Sequence, residues 1–500
     1  MKKIFTLLLV AMTAVVARAT DYIVPVTVVV NDVTSEQLGE FSIVENDGLY
    51  DVSLKNFILD SENGPMGVGN VELKGIQPYQ DGKATLFVTE KEVTITDGDD
   101  PNVVYWMAGM LPPVNVLLRG KIEDEHLYMN LYIDLMETMD QIIQVTVGEG
   151  YQMPNPGFEL WHPSDETHVE PDGWHSFETA TGALAAFGGH HLTKSKNAHS
   201  GEACARIYSS SILGIVANGT MTTGRLNADA MIATDPANNA YLDTSMPELD
   251  GAGKPFYIPL YSRPDSIAVW VRFRQGSVNP DHPYANISAV ITDGTYYQDP
   301  EDKVYTNVVA KAKNDKIATT DGEWVRVTAP FVYTENDVEP QAILVTISTN
   351  ADAGQGSDGD EVLVDDIELI YNAKVTGLKI NGQDVPGFSP DVFEYEMELE
   401  QGVTTEDIEV VVEGQSTHVI KDVSFIDSNV CTVMALGGDM KHMSTYVIRE
   451  KGSGTGIRSI KTPAGQSAYY TLDGRQAKTL APGRIYIRRQ ADGTVTKVRL

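Results

Sequence analysis

Only two of the 500 residues are cysteine, Cys204 and Cys431, and they stand far apart. A chain so poor in cysteine has no disulfide framework and no zinc-type cysteine spacing. Both thiols are expected to behave as small buried apolar groups, with a disulfide between them the less favoured alternative. Long apolar runs are missing too. Beyond the first twenty residues no stretch approaches the length needed for a membrane-spanning helix, about 18 residues. Basic residues are scarce: 37 Lys and Arg face 70 Asp and Glu, for a net charge of −33. That balance repels phosphate backbones and excludes nucleic acid as a partner. Neither G-x-S-x-G nor H-E-x-x-H occurs, so two common hydrolase signatures are absent.

The N-terminus reads MKKIFTLLLVAMTAVVARAT. Lys2 and Lys3 precede a mostly apolar run from Ile4 to Val16, and Ala17-Arg18-Ala19 offers small residues for cleavage. This predicts a secretory signal peptide over 1–19 and an exported, soluble mature chain. No cysteine follows the cleavage point, so lipid attachment there is not expected. An acidic surface of this kind suits neutral sugars and calcium, although it also serves plain solubility.

Residues 20–150 contain YIVPVTVVVN, GLYDVSLKNFIL, ATLFVTEKEVTI, PVNVLLRGKI and LYMNLYIDL, separated by ENDG, SENG and TDGDD. Alternating strands joined by short turns predict a meandering barrel. The order of these pieces resembles the calycin-like β-barrels of secreted Bacteroidetes proteins. Such a barrel holds either a small apolar ligand or its own side chains, and the filled interior is the preferred expectation.

Residues 151–372 carry four of the five tryptophans and many strand signals, including ACARIYS, SIAVWVRFR, ANISAVITDG and EVLVDDIELIY. In SIAVWVRFR the alternation puts Ile267, Val269, Val271 and Phe273 on one face and Ala268, Trp270, Arg272 and Arg274 on the other. About eight such strands predict a two-sheet sandwich. The motifs NPGFELW (155–161), PDGW (171–174), AHSGEACARIY (198–208) and VLVDDIELIY (362–371) occur in that order. Together they resemble jelly-roll carbohydrate-binding modules, and more narrowly a carbohydrate-metabolism-type domain of Bacteroidetes surface proteins.

The resemblance implies that the first and last strands lie side by side, tied by a structural Ca2+ at the SG turn. Glu159 and Asp366 would supply carboxylate oxygens, and Asn155 and Ser200 further oxygens. Six to eight oxygens at about 2.3–2.6 Å are needed, so backbone groups must contribute. Strand alternation would place Asp365 and Asp366 on opposite faces, leaving only one of them as a ligand. The alternative is that these carboxylates are ordinary solvated strand ends.

Sugar recognition calls for flat aromatic faces beside fixed donors and acceptors. Candidates are Trp270 with Arg272, and the loop tyrosines Tyr284, Tyr296 and Tyr297. Trp161, Trp174 and Trp324 are expected in the core. His190, His191 and His199 in GGHHLTKSKNAH could converge on a transition metal if they share a loop, but an exposed polar loop is the commoner reading.

Residues 373–451 resemble small cadherin-like β-sandwich modules, on the pieces ING, GFSPDVFEYEMEL and STYVI. Residues 452–456, GSGTG, read as a flexible linker. Beyond it the charge reverses: 452–500 carry a net of +7 against −43 for 20–451. The tail 457–500, with Leu472-Asp473-Gly474-Arg475, Pro482-Gly483, Ile485-Tyr486-Ile487 and the closing strand at Lys497–Leu500, resembles the C-terminal sorting domains of type IX secretion. Its machinery is therefore an expected partner.

The whole predicts an exported all-β protein that binds carbohydrate through its jelly roll. A glycoside hydrolase and a purely adhesive surface protein are the rivals. Hydrolysis would need two carboxylates set about 5–9.5 Å apart across a cleft, and no local motif marks such a pair.

Overall fold

The computed structural model describes residues 18–451 apart from 32, 60–65, 136–140, 213, 401 and 425–429, together with 468–470, 485–489 and 495–499. The apolar signal segment, the linker and the turn motifs of the tail lie outside the described residues. The three described tail strands, Ala468–Tyr470, Ile485–Arg489 and Val495–Arg499, form an antiparallel meander. Among the described residues the chain is all-β, and no helix is long and apolar enough to cross a membrane.

The first sheet has nine strands: β1 (Arg18–Val30), β2 (Val33–Asn46), β3 (Leu49–Leu59), β4 (Met66–Ile76), β5 (Pro78–Asp81), β6 (Ala84–Val93), β7 (Val114–Glu123), β8 (His126–Asp134) and β9 (Ile142–Val147). Their order is β4-β3-β2-β1-β9-β8-β7-β6-β5, so sequence neighbours pair except β4 and β5, which form the two edges, and β9 returns to β1. Bridges from Gly67 to Trp106 and from Asn70 to Thr96 join β4 to the segment after β6, across the seam. The sheet thus curls on itself, which removes most of its unpaired edge. Alternation sends Val26, Val28, Phe41, Ile43, Val52 and Leu54 inward.

The central sandwich stacks a five-stranded sheet on a six-stranded one. The first runs in the order Leu192–Ser195, Cys204–Tyr208, Glu361–Ile370, Ser266–Arg274, Val325–Pro330. The second is built around Ala285–Thr292, flanked by Ala342–Ser348 and Val308–Ile317. As the alternation requires, Ile267, Val269, Val271 and Phe273 fill the core between them, against Ile287, Ala289, Ile343 and Val345. The first strand of the block, Trp161–Pro163, pairs with Val169–Pro171 rather than with the last; it is the fourth, Cys204–Tyr208, that lies beside the last, Glu361–Ile370.

Residues 374–450 form a three-stranded and a four-stranded sheet around Val375, Ile408, Val433 and Tyr446. This unit packs onto the outside of the barrel: Ile420, Leu436 and Met440 are buried with Ala84, Leu86, Tyr128 and Tyr151. Polar groups seal the junction. Lys121 is buried with its Nζ 2.7 Å from Glu123 and 3.1 Å from His418, and Asp439 accepts from Gln152 Nε2 at 3.0 Å.

Both cysteines are buried and free. Burial pushes the Cys204 thiol up to about 12 and that of Cys431 to about 11. At pH 8 both are thus thiols rather than thiolates, and neither is expected to react with iodoacetamide in the native chain. Mass spectrometry should find both labelled only after denaturation; native labelling at either site would contradict this packing.

Candidate functional site

The NPGFELW loop links the barrel to the sandwich. Asn155 and Phe158 both adopt left-handed backbone, at φ +43° and +53°. For Phe158 that conformation is unusual, and the surroundings enforce it. Its ring is fully buried, 5.4 Å from the Trp174 ring, and its carbonyl accepts from Trp161 Nε1 at 2.6 Å. Asn155 is engaged locally: its Nδ2 donates to the Leu160 carbonyl at 2.9 Å and its Oδ1 accepts from Leu160 N at 3.0 Å. The side chain of Asn155 therefore props the loop and does not face a metal.

Of the other three expected metal ligands, Ser200 and Asp366 meet directly, while Glu159 holds the far side of the same turn. The Pro156 carbonyl accepts from Ile367 N at 2.9 Å, which docks the loop on the last sandwich strand. There the ladder slips: Ala268 pairs with Glu368 but Trp270 with Asp365, so one residue opposes two. Asp366, at φ +44°, occupies this bulge. The bulge corrects the alternation argument, because both aspartates reach the same SG turn. Asp365 Oδ2 accepts from His199 N at 2.7 Å and Ser200 N at 3.3 Å. Asp366 Oδ1 accepts from Ser200 Oγ at 2.7 Å, and its Oδ2 lies 2.6 Å from His199 Nδ1. From the other side Glu159 Oε1 accepts from Glu202 N at 2.9 Å and Ala203 N at 3.2 Å. A Cβ on Gly201 would lie 2.0 Å from that oxygen, so only glycine fits the turn.

Three carboxylates and a hydroxyl around one turn are the hard oxygen donors that calcium selects. Burial first, and the neighbouring Asp366 second, push the Asp365 carboxyl up to about 7. Glu159, Asp365, Asp366 and Ser200 are the residues that would hold Ca2+ at this turn, but as placed the three carboxylates do not bring their ligand atoms all within 4.8 Å of one another, so they would have to draw together around an ion.

The expected sugar-binding residues do not converge. Trp270 is half-buried, and His199 stacks on it at 3.9 Å and 15°, with Trp324 edge-on to His199 at 5.8 Å. Its ring is thereby tied to the SG turn, and Arg272 follows it on the same outer face. Tyr297 is only 1% exposed and belongs to a core with Leu242, Val290 and Val308. Tyr284 is 37% exposed but stands apart from the other candidates in every ring contact of the described residues.

Tyr296 is 39% exposed and begins a strip: Tyr241 lies 5.8 Å away on one side and Tyr305 6.5 Å on the other. Nearby, a depression of about 210 Å³ is lined by Ser288, Asp299, Glu301, Lys311 and Lys313, with Tyr297 at its base. Tyr241 and Tyr305 were not singled out from sequence. Tyr305 follows Tyr296 by nine residues in an acidic loop, but nothing local marks Tyr241 as its neighbour.

The three histidines of GGHH…NAH also part. His191 is buried, its Nδ1 2.7 Å from the Tyr208 carbonyl, while His199 sits on Trp270. His190 is exposed and paired with Glu178.

The barrel departs most from expectation. Instead of being filled, it holds a cavity of about 820 Å³. Its walls include Phe41, Phe57, Leu73, Met129, Leu131 and Val145. The physical reason is the choice of inward residues: most are Val, Leu or Ile, with only three Phe among the fully buried ones, too little volume for a sheet this wide. Polar groups gather in one region, where Asn31, Thr34, Ser35, Glu36 and Gln141 join the lining beside Leu160 of the NPGFELW loop. Glu36 is ion-paired to Lys254 of the sandwich.

No protein-family model matches this sequence, and no curated protein does either. Among solved structures the chain is similar to a candidate glycoside hydrolase from Bacteroides thetaiotaomicron, at 16% identity and a TM-score of 0.34, over 50% of this chain and 81% of that one. It is also similar to carbohydrate-binding modules of the β-sandwich superfamily, at 10% identity and a TM-score of 0.20, over 66% of this chain and 97% of that one. At these TM-scores neither likeness bears on the chemistry of the sites.

Proposed function

We propose that this chain is an exported binding protein whose barrel carries a single-chain amphiphile. The observation that carries this reading is the 820 Å³ apolar cavity with its polar groups collected in one region. Its size lies in the range of ligand pockets, roughly 300–1,000 Å³, far above the voids of a close-packed interior. Burying a hydrocarbon chain there gains about 0.8 kcal/mol per methylene. The hydroxyls of Thr34 and Ser35 and the amides of Asn31 and Gln141 would receive a polar head group. The test is titration of the delipidated chain with a long-chain fluorescent fatty acid. Saturable binding at one molecule per chain supports the reading, and its absence removes it. Export rests on the sequence of residues 1–19, and the type IX-like tail would make the secretion machinery a transient partner.

A second site is favoured by the Tyr241–Tyr296–Tyr305 strip beside the polar depression. Adjacent, tilted phenol rings near Ser288, Asp299 and Lys313 supply apolar faces and polar partners of the kind a pyranose needs, so the sandwich is proposed to bind a glycan there. Trp270 takes a structural part, since His199 already covers it. Tyr296→Ala is expected to weaken glycan binding about tenfold or more, the cost of roughly 1.5 kcal/mol for one lost aromatic platform. Trp270→Ala should leave glycan affinity unchanged and lower the melting temperature. A glycan array followed by calorimetry decides between them, and the opposite pattern would return the site to Trp270.

A further inference from the structure

We propose that His168, Glu178 and His190 form a binding site for a divalent transition-metal ion of the zinc class. Among the described residues they are the one group of His, Cys, Asp and Glu whose ligand atoms all lie within 4.8 Å of one another. The site is separate from the barrel cavity, the SG turn and the tyrosine strip, and it rests on none of those readings.

Three neighbouring segments, 10 and 12 residues apart, supply the ligands, and they brace one another. His168 precedes Val169–Pro171, which pairs with Trp161–Pro163 in a short hairpin. Glu178 sits in the 3-10 turn Phe177–Thr179, whose entry Ser176 caps by accepting from Glu178 N at 3.2 Å. Buried Glu170 holds that turn by accepting from Ser176 N and Oγ, both at 2.6 Å. His190 adjoins the buried His191, whose ring bonds to the carbonyls of Tyr208 and Gly188 and packs 5.4 Å from Phe177. Fixed backbones on all three sides are what a preorganised site requires.

The imidazoles of His168 and His190 stack at 3.4 Å between centroids and 20° between planes, and the carboxylate of Glu178 reaches both. A shared dication would satisfy both rings and the carboxylate together. Asp165 Oδ2 lies 2.7 Å from His168 Nδ1, the nitrogen that also faces Glu178 at 3.9 Å, so an ion would be held either there in Asp165's place or through Nε2 with Asp165 behind it. A carboxylate behind a ligating histidine is the usual outer partner of zinc sites. Two nitrogens and one carboxylate select zinc-class ions over calcium, which takes oxygen ligands. Because His190 is exposed, a fourth position stays open to water or to a donor from outside.

The test uses the full chain without a histidine tag, stripped with EDTA, restored with calcium and titrated with ZnCl2 by calorimetry. One zinc per chain is expected, and Co2+ in its place should give visible ligand-field bands of a nitrogen and oxygen site. The double variant His168→Ala/His190→Ala should lose the zinc, and Asp165→Asn should weaken it roughly 10–100-fold. His190→Gln changes an exposed side chain, so it provides the reading should the double variant fail to fold. Failure of the parent to bind zinc, or parent-like affinity in His190→Gln together with an unchanged Co2+ spectrum, would overturn the proposal.

Discussion

Replacing Leu131 by tryptophan should lower the affinity for a long-chain fatty acid by roughly two orders of magnitude while leaving the chain folded. Leu131 lines the cavity from β8, where it pairs with Val145 and Leu118, and both neighbours are buried. An indole projected into the void would occupy the volume of about four methylenes of a bound chain. At about 0.8 kcal/mol each, their exclusion is worth roughly 3 kcal/mol. In a packed core such an enlargement would itself cost 1–3 kcal/mol through strain, but here the ring enters free space. The melting temperature should accordingly change little, and Leu131→Ala, which widens the cavity, should keep binding. Displacement of a fluorescent fatty acid measures both variants. Equal affinity in the parent and a folded Leu131→Trp variant would sink the carrier reading.

Chelation of calcium is expected to lower the melting temperature of the sandwich by roughly 5–10 °C. A ligand present at a hundredfold excess over its dissociation constant stabilises by about 2.7 kcal/mol. For a unit of about 150–250 residues each kcal/mol moves the transition by roughly 2–4 °C. The proposed ion would bridge the loop at Glu159, the turn at Ser200 and the bulge at Asp365 and Asp366, so its loss frees three segments at once. Glu159→Gln keeps an oxygen acceptor for Glu202 N and Ala203 N but removes a charge. It should abolish most of the calcium-dependent increment while leaving the melting temperature in EGTA within a few degrees of the parent. Gly201→Ala should go further and disrupt the turn itself, since the added Cβ meets the Glu159 carboxylate. Scanning calorimetry with calcium and with EGTA checks all three, and coincident transitions in the parent would eliminate the calcium site.

The same residues show how far local pattern reaches. The inward face of SIAVWVRFR and the meander of the first sheet follow from alternation and turn chemistry, which act over a few residues. The meeting of Ser200 with Asp366 was implied by the resemblance of the motifs. Asp365 was not, because alternation presumes an unbroken ladder and the bulge opposite Val269 breaks it. Tyr297 shows the converse limit: in sequence it equals Tyr296, and only the cover of Leu242 and Val308 makes one core and the other surface.

By itself, then, the sequence determined the all-β class, the acidic surface and the inert cysteines, since each depends on composition or near-neighbour periodicity. Tertiary structure alone decided the rest. Whether the barrel is full or hollow depends on the summed volume of inward side chains against the width of a nine-stranded sheet, a quantity no single strand carries. Likewise His168, Glu178 and His190 become neighbours only when their three segments brace one another. Distance across a fold is set by packing, and packing is a property of the whole chain.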